Sequence, residues 1–170
     1  ISTSGVDNIF IGYRAGVFSN SATGQNTFIG NCAGSGIYPP AGGCDGYGNT
    51  FLGFRSGLYN DGDRNVFVGM DSGWCNTTGH LNTFIGTFAG QQNLVGLTNT
   101  FIGAFSGQSG TCSTYNTFVG YAAGAASNTH YSVAIGDEAG RNSATSSVFI
   151  GSKAGYANTT GGLNTFVGFN

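Results

Sequence analysis

The stretch Asn26-Thr27-Phe28-Ile29-Gly30 decides the fold of this chain, because it returns again and again along the sequence. Close copies begin at Asn49, Asn82, Asn99 and Asn116, and looser copies begin at Asn8, Asn65, Ser132, Ser147 and Asn164. The steps between the glycines that end successive copies are 15–18 residues, apart from a single step of 23. A repeat of this kind determines the architecture before any single residue is considered.

Each repeat unit contains a second glycine, four residues after the glycine that ends the strand motif, as in Gly90 after Gly86. An Ala or a Ser comes directly before that second glycine, and a polar stretch of variable length follows it. So short a unit has no room for two packed helices, and its glycine content disfavours helix. The unit therefore predicts one coil of a narrow parallel β-solenoid, with coils stacked about 4.8 Å apart. Two short strands are expected in each coil: the Asn-Thr-Phe-Ile-Gly motif and the Ala/Ser-Gly segment.

The sequence thus predicts an all-β fold, in which residues 1–170 form a single β-solenoid repeat domain of about ten coils. The longest insert lies between Gly34 and Asn49 and contains Pro39 and Pro40. We expect uncapped ends, because joining the last residue to the first would nearly preserve the period. Uncapped solenoid ends expose strand edges that can recruit another chain.

Alternation along each strand divides its side chains into two sets that face opposite ways. The aliphatic set is expected to form the solenoid core: Ile11, Ile29, Leu52, Val68, Ile85, Ile102, Val119, Ile135, Ile150 and Val167. The aromatic set is expected on the outer wall, as an assembly face: Phe10, Phe28, Phe51, Phe67, Phe84, Phe101, Phe118, Phe149 and Phe166. So large an apolar patch would need a cover, most simply another copy of the chain. The alternative places Phe inside, because alternation alone does not identify the inner face.

The Asn that begins most copies has two interpretations. Stacked coils would align these side chains into an amide ladder, in which each one bonds the next coil. Asn is also a preferred turn residue. One side chain can serve both roles, so the two interpretations are compatible.

The copy Ser132-Val133-Ala134-Ile135-Gly136, followed by Asp137-Glu138-Ala139-Gly140, resembles the head repeat of trimeric autotransporter adhesins. The Asn-Thr-Phe-Ile-Gly version is similar to repeats in phage tail-fibre and bacterial surface proteins. The resemblance covers nearly the whole chain and implies a left-handed β-roll, with three chains packed side by side along a fibre. The chain departs from the adhesin pattern in its longer period, in Phe at the third strand position and in its cysteines.

Composition and motifs exclude several classes of function. Charged residues make up only 7% of the chain and the net charge is −2, so no basic surface suited to nucleic acid is expected. No apolar run is long enough for a membrane span. No catalytic triad, phosphate-binding loop or metal-ligand spacing occurs, which predicts a non-enzyme without metal or cofactor. Charged residues two positions after a strand glycine, such as Arg55 and Asp71, are expected on an exposed edge.

The sequence contains candidates for two covalent modifications. Two disulfides in an oxidising compartment are one interpretation of the four cysteines, whose pairing stays open: Cys32, Cys44, Cys75 and Cys112. Asn76 and Asn158 each begin an Asn-X-Thr sequon and are candidates for N-glycosylation, with an unmodified loop as the alternative.

These features favour a structural subunit of an extracellular microbial fibre or filament, assembled by head-to-tail and side-by-side packing of solenoids. Its partners would be copies of itself, in a filament or a trimer, and its location would be extracellular or on the cell surface. The alternative is an adhesin or phage tail-fibre head that binds a host surface or a glycan through loop aromatics: Tyr38, Tyr47, Tyr59 and Trp74. Ice binding by a Thr ladder is less well supported, because no strand has more than one Thr, and that Thr stands beside Phe.

Overall fold

The computed structural model describes residues 7–18, 24–36, 46–143 and 145–169, and it confirms the predicted parallel β-solenoid. Ten three-residue strands form one parallel sheet in sequence order. The strands are β1 Ile9–Ile11, β2 Thr27–Ile29, β3 Thr50–Leu52, β4 Val66–Val68, β5 Thr83–Ile85, β6 Thr100–Ile102, β7 Thr117–Val119, β8 Val133–Ile135, β9 Val148–Ile150 and β10 Thr165–Val167. The described part of the chain has no helix that could cross a bilayer.

The sheet is regular. Each strand pairs with the next through equivalent motif positions, so Phe84 lies beside Phe101 and Ile85 beside Ile102. From Phe28 to Phe118, successive rings stack at centroid distances of 4.7–4.9 Å with interplanar angles of 5–7°. The small ring angles show that the same ring packing repeats from coil to coil.

The Phe side chains fill the interior, so the expectation of an aliphatic core is wrong. Seven of the rings assigned to the assembly face are 0% exposed: Phe28, Phe51, Phe67, Phe84, Phe101, Phe118 and Phe149. Phe10 packs against this column, and Phe166 in the last described strand is 41% exposed. The residues assigned to the core lie on the outer face: Ile11, Ile29, Leu52, Val68, Ile85, Ile102, Val119, Ile135, Ile150 and Val167. The alternative with Phe inside is the arrangement that the structure has.

The second glycine of each unit makes room for these rings. A Cβ on Gly90 would lie 2.4 Å from ring carbons of Phe84, so the ring lies directly against the glycine backbone. The residue before each of these glycines is a small Ala or Ser, so the interior has room for one ring in each coil. In β8 the inner residue is Ala134, and the ring of Phe149 leans towards that coil, since a Cβ on Gly140 would lie 2.7 Å from it.

The glycine that ends each strand is required by the backbone. These glycines have φ values of 125–141°, a region that is essentially limited to glycine. The coils also approach closely at this point, because a Cβ on Gly86 would lie 2.6 Å from the carbonyl carbon and oxygen of Gly103. The strand glycine thus sets both the turn and the spacing between coils.

The Asn residues that begin the motifs form the expected amide ladder. Asn82 is 1% exposed, and its Oδ1 accepts hydrogen bonds from the backbone N–H and the Nδ2 of Asn99, at 2.9 and 3.0 Å. Its Nδ2 donates to the carbonyl oxygen of Gly96 in the next coil at 2.8 Å. The ladder continues through Ser132 and Ser147, whose hydroxyl oxygens accept from the following coil. The ladder is therefore confirmed, with hydroxyls replacing amides near one end.

A second buried ladder was not predicted from the sequence. Asn60, Asn76 and Asn93 each stand three residues after the second glycine of their coil and are 0% exposed. The Nδ2 of Asn76 donates to Oδ1 of Asn60 at 2.6 Å, and the Nδ2 of Asn93 donates to Oδ1 of Asn76 at 3.1 Å. The next coil has Gly110 at this position. The ladder therefore ends at Asn93, whose buried Oδ1 has no hydrogen-bond partner.

Replacing Asn82 by alanine is expected to lower the free energy of unfolding by about 1–3 kcal/mol, because it leaves a buried N–H group unpaired. That group is the backbone N–H of Asn99, and the carbonyl of Gly96 would lose one donor as well. Asn82→Ser is the matched control, since Ser132 and Ser147 occupy equivalent positions and still accept a hydrogen bond. Urea unfolding should show a smaller loss for serine; equal losses would contradict a role for the acceptor.

Candidate interaction face

The outward side of the sheet, which we call the strand face, consists of the first and third residues of every strand. The first residues form one row: Ile9, Thr27, Thr50, Val66, Thr83, Thr100, Thr117, Val133, Val148 and Thr165. The third residues form a second row: Ile11, Ile29, Leu52, Val68, Ile85, Ile102, Val119, Ile135, Ile150 and Val167. All of them except Leu52 are β-branched, and none is charged.

The strand face is accessible and stiff. Leu52 is 46% exposed, and Ile85 and Ile102, in the middle of the stack, are each 37% exposed. The β-branched side chains that dominate it have restricted χ1 angles. Because the strands pair through equivalent positions, these side chains form two continuous rows along the sheet.

Aromatic residues stand at the corners on both sides of the strands. Phe88 and Phe105, two residues after their strand glycines, stack with centroids 5.3 Å apart. Tyr115 and Tyr131, directly before the residues of the amide ladder, stack at 5.2 Å and are 51% and 66% exposed. The corners therefore add further apolar surface beyond the strands themselves.

The charged residues at the corner only partly follow the expectation of an exposed edge. Asp71 is 1% exposed and accepts two hydrogen bonds from Arg55, from Nε at 2.8 Å and from Nη2 at 2.6 Å. Asp71 lies one coil after Arg55, which neutralises its charge. The hydrogen bond to Asp71 raises the pKa of Arg55. Glu138 likewise accepts from Arg141 and lies 3.8 Å from Nζ of Lys153. These charges serve contacts within the solenoid.

The loop aromatics that were considered for glycan binding pack onto their own neighbours. Tyr59 and Trp74 contact each other with ring centroids 5.3 Å apart, and both are half-buried. The Nε1 of Trp74 is buried without a hydrogen-bond partner. Tyr47 lies instead against Arg64, whose guanidinium carbon is 4.9 Å from the ring centroid. The fourth residue, Tyr38, lies outside the described residues.

The structure contradicts the disulfides expected at three of the cysteines. Cys32, Cys75 and Cys112 carry free thiols, and Cys44 lies outside the described residues. Cys75 and Cys112 are separated by two coils, about 10 Å along the rod, which is farther than a disulfide reaches. Burial raises the pKa of the Cys75 thiol, whereas Cys112 is exposed.

The two sequons differ in accessibility. Asn76 belongs to the second ladder, and its Nδ2 donates to Oδ1 of Asn60 and to the carbonyl of Gly79, both at 2.6 Å. Glycosylation there would require this buried nitrogen, so the expectation for Asn76 is contradicted. Asn158 is half-buried, with its Nδ2 bonded to the carbonyl of Gly161 at 2.8 Å, and it stays a candidate.

An open cleft of about 420 Å³ lies beside β10, where Tyr156, Phe166 and Phe169 line it. It lies at the last coil that the structure describes. The described ranges hold no group of three His, Cys, Asp or Glu side chains that could bind a metal ion.

The strand face and the corner aromatics are therefore the exposed apolar surfaces along the described coils. No protein-family model, curated protein or solved structure matches the chain.

Proposed function

We propose that this chain is a structural subunit of an extracellular microbial fibre, in which solenoids stack along the axis and pack side by side. The observation that carries the proposal is the regular stack of ten in-register strands. Each coil is joined to the next by the same backbone bonds, by ring stacking except at Ala134, and over most of the stack by the same amide ladder. A stack of this kind is held by similar contacts along most of its length, as a fibre requires.

The low charge supports assembly and an extracellular location. Charged residues are 7% of the chain and the net charge is −2, so identical copies repel one another only weakly. Several of the few charged groups are already paired within the solenoid, as Arg55 is with Asp71. Asn, Ser, Thr and Gly therefore provide most of the solvation, a composition that suits a surface buried in an assembly.

Stacking along the axis is supported by the register inside the stack. The strand of each coil pairs with the next through equivalent positions, as Phe84 does with Phe67 and Phe101. The rings of these residues stack with centroids 4.8–4.9 Å apart, so each coil offers the next the same apolar surface.

Electron microscopy of the purified chain at increasing concentration tests this function. We expect particles that lengthen in one direction, and fibre diffraction with a meridional reflection near 4.8 Å from coil stacking. Antibody labelling of unpermeabilised source cells should detect the chain at the surface. Monomers of constant length at every concentration would contradict assembly, and labelling that requires permeabilised cells would contradict the location.

The second candidate function is a head domain that binds a host surface or a glycan. The exposed, stacked pair of Tyr115 and Tyr131 favours it, because tyrosine rings offer both an apolar face and a hydroxyl to a sugar. A glycan array separates the candidates. Binding that is lost in Tyr131→Ala and kept in Tyr121→Ala, which alters a tyrosine that is 54% exposed, would support the head domain.

A further inference from the structure

We infer that the strand face is the surface on which a second copy of this chain packs. The inference rests on the proposed fibre function and names the lateral partner within it. The strand face replaces the Phe set as the assembly surface, because the rings of that set fill the interior.

The first support is the regularity of the strand face. Strands β2 to β7 pair through equivalent motif positions, so their first and third residues follow one another in two unbroken rows. The β-branched side chains in these rows lose little freedom on burial, since their χ1 angles are already restricted. The face is therefore preorganised for a long contact.

The second support is the repeat, which identifies the partner as another copy. The two rows of the strand face form ridges about 6.6 Å apart with a groove between them, and both repeat every 4.8 Å or so along the rod. A partner must present the same spacing at every coil to fill this surface evenly. A globular protein has no such repeat, but an identical solenoid does. One ridge of each copy can then lie in the groove of the other.

The third support is the area and chemistry of the strand face. Ten strands of three residues cover a rectangle of about 500 Å², so two copies bury at least about 1,000 Å² in total. That value meets the minimum of about 1,000 Å² for a biological interface. The face contains no Lys, Arg or Trp, the residues with which proteins usually attach to a bilayer surface. A second copy therefore fits this face better than a lipid surface does.

The test compares two double variants of the full chain. Ile85→Asp/Ile102→Asp places two charges in the middle of the strand face. Leu94→Asp/Val95→Asp is the matched control, because its side chains are exposed to a similar degree, at 37% and 49%, and stand in a loop outside the strands. Sedimentation equilibrium measures lateral association, and electron microscopy measures the width and the length of particles separately. Circular dichroism and thermal melting check that each variant is folded.

The wild type is expected to form particles two solenoids wide. The strand-face variant should stay one solenoid wide, with a lateral dissociation constant at least about a hundredfold higher, while the loop variant should behave as the wild type. Wild-type particles that are one solenoid wide at every concentration would overturn the inference, as would equal association of the two variants. Binding of the wild type to phosphatidylcholine vesicles in place of pairing would assign the face to lipid and overturn it as well.

The width of the particles tests the lateral pairing, and their length tests the fibre function. Long particles one solenoid wide would overturn the lateral pairing and leave the fibre intact. Side-by-side pairs that never lengthen would support the pairing and contradict the fibre.

Discussion

Replacing Phe101 by alanine is expected to lower the free energy of unfolding by about 3–5 kcal/mol, the cost of a large cavity in a packed core. The ring of Phe101 is 0% exposed and stacks on both neighbours, with centroids 4.8 Å from Phe84 and 4.9 Å from Phe118. Alanine would remove both contacts and leave Gly107 facing an empty space, because that glycine backbone lies directly against the ring. Chemical denaturation measured by circular dichroism gives the value.

The matched control for Phe101→Ala is Ile102→Ala, one residue further along the same strand. Ile102 is 37% exposed, so its truncation should cost no more than about 1 kcal/mol. If Ile102→Ala lowered the free energy of unfolding more than Phe101→Ala, the aliphatic row and not the Phe column would be buried. That result would contradict the arrangement described above.

Gly86→Ala is expected to cost about 2–6 kcal/mol, or to prevent folding. Two effects add at this position. The φ angle of 135° is strained for any residue with a Cβ, at about 1–3 kcal/mol. The new Cβ would also lie 2.6 Å from the backbone of Gly103, and backbone in the middle of a stack cannot move aside cheaply. Thermal and chemical unfolding measure the loss.

Gly168→Ala separates these two effects. Gly168 has nearly the same φ, 134°, but no atom lies within 4 Å of the position of its added Cβ. Its substitution should therefore carry the backbone strain alone, about 1–3 kcal/mol. If both substitutions lowered the free energy of unfolding equally, the close approach of the coils would add nothing to the cost at Gly86. A larger loss at Gly86 would confirm that the strand glycines set the spacing of the stack.

The fold could be predicted from the sequence because the strand motif recurs at a nearly constant spacing. The recurring motif predicts one strand in each coil, the strand order and the register, and all three agree with the structure. The second strand expected at the Ala/Ser-Gly segment is wrong, because that segment forms a turn. The inner face was assigned wrongly because alternation gives two apolar sets without saying which is inside. The decisive signal was the second glycine of each unit, such as Gly90. A residue without a Cβ opposite the strand leaves space for a ring such as that of Phe84.

The features that the sequence did not predict depend on contacts between coils. Asn60 lies five residues before its ladder Asn, while Asn76 and Asn93 lie six before theirs, so variable loop length conceals the second ladder. Counting from the second glycine would have aligned them. The burial of Asp71 could not be predicted because its partner, Arg55, belongs to the preceding coil. The strand face was overlooked as an interaction surface because its aliphatic row was placed inside.

The regular stack also determines how the chain folds and fails. Each strand is hydrogen-bonded only to the strand before and the strand after it in sequence, so the molecule behaves as a one-dimensional array. Folding can begin at any adjacent pair of coils and spread in both directions, because no distant segment has to be found. Unfolding starts at a terminal coil, which has one neighbour instead of two. A destabilising substitution in a central coil divides the rod into two shorter arrays. Each array stays folded only if it has enough coils to be stable by itself.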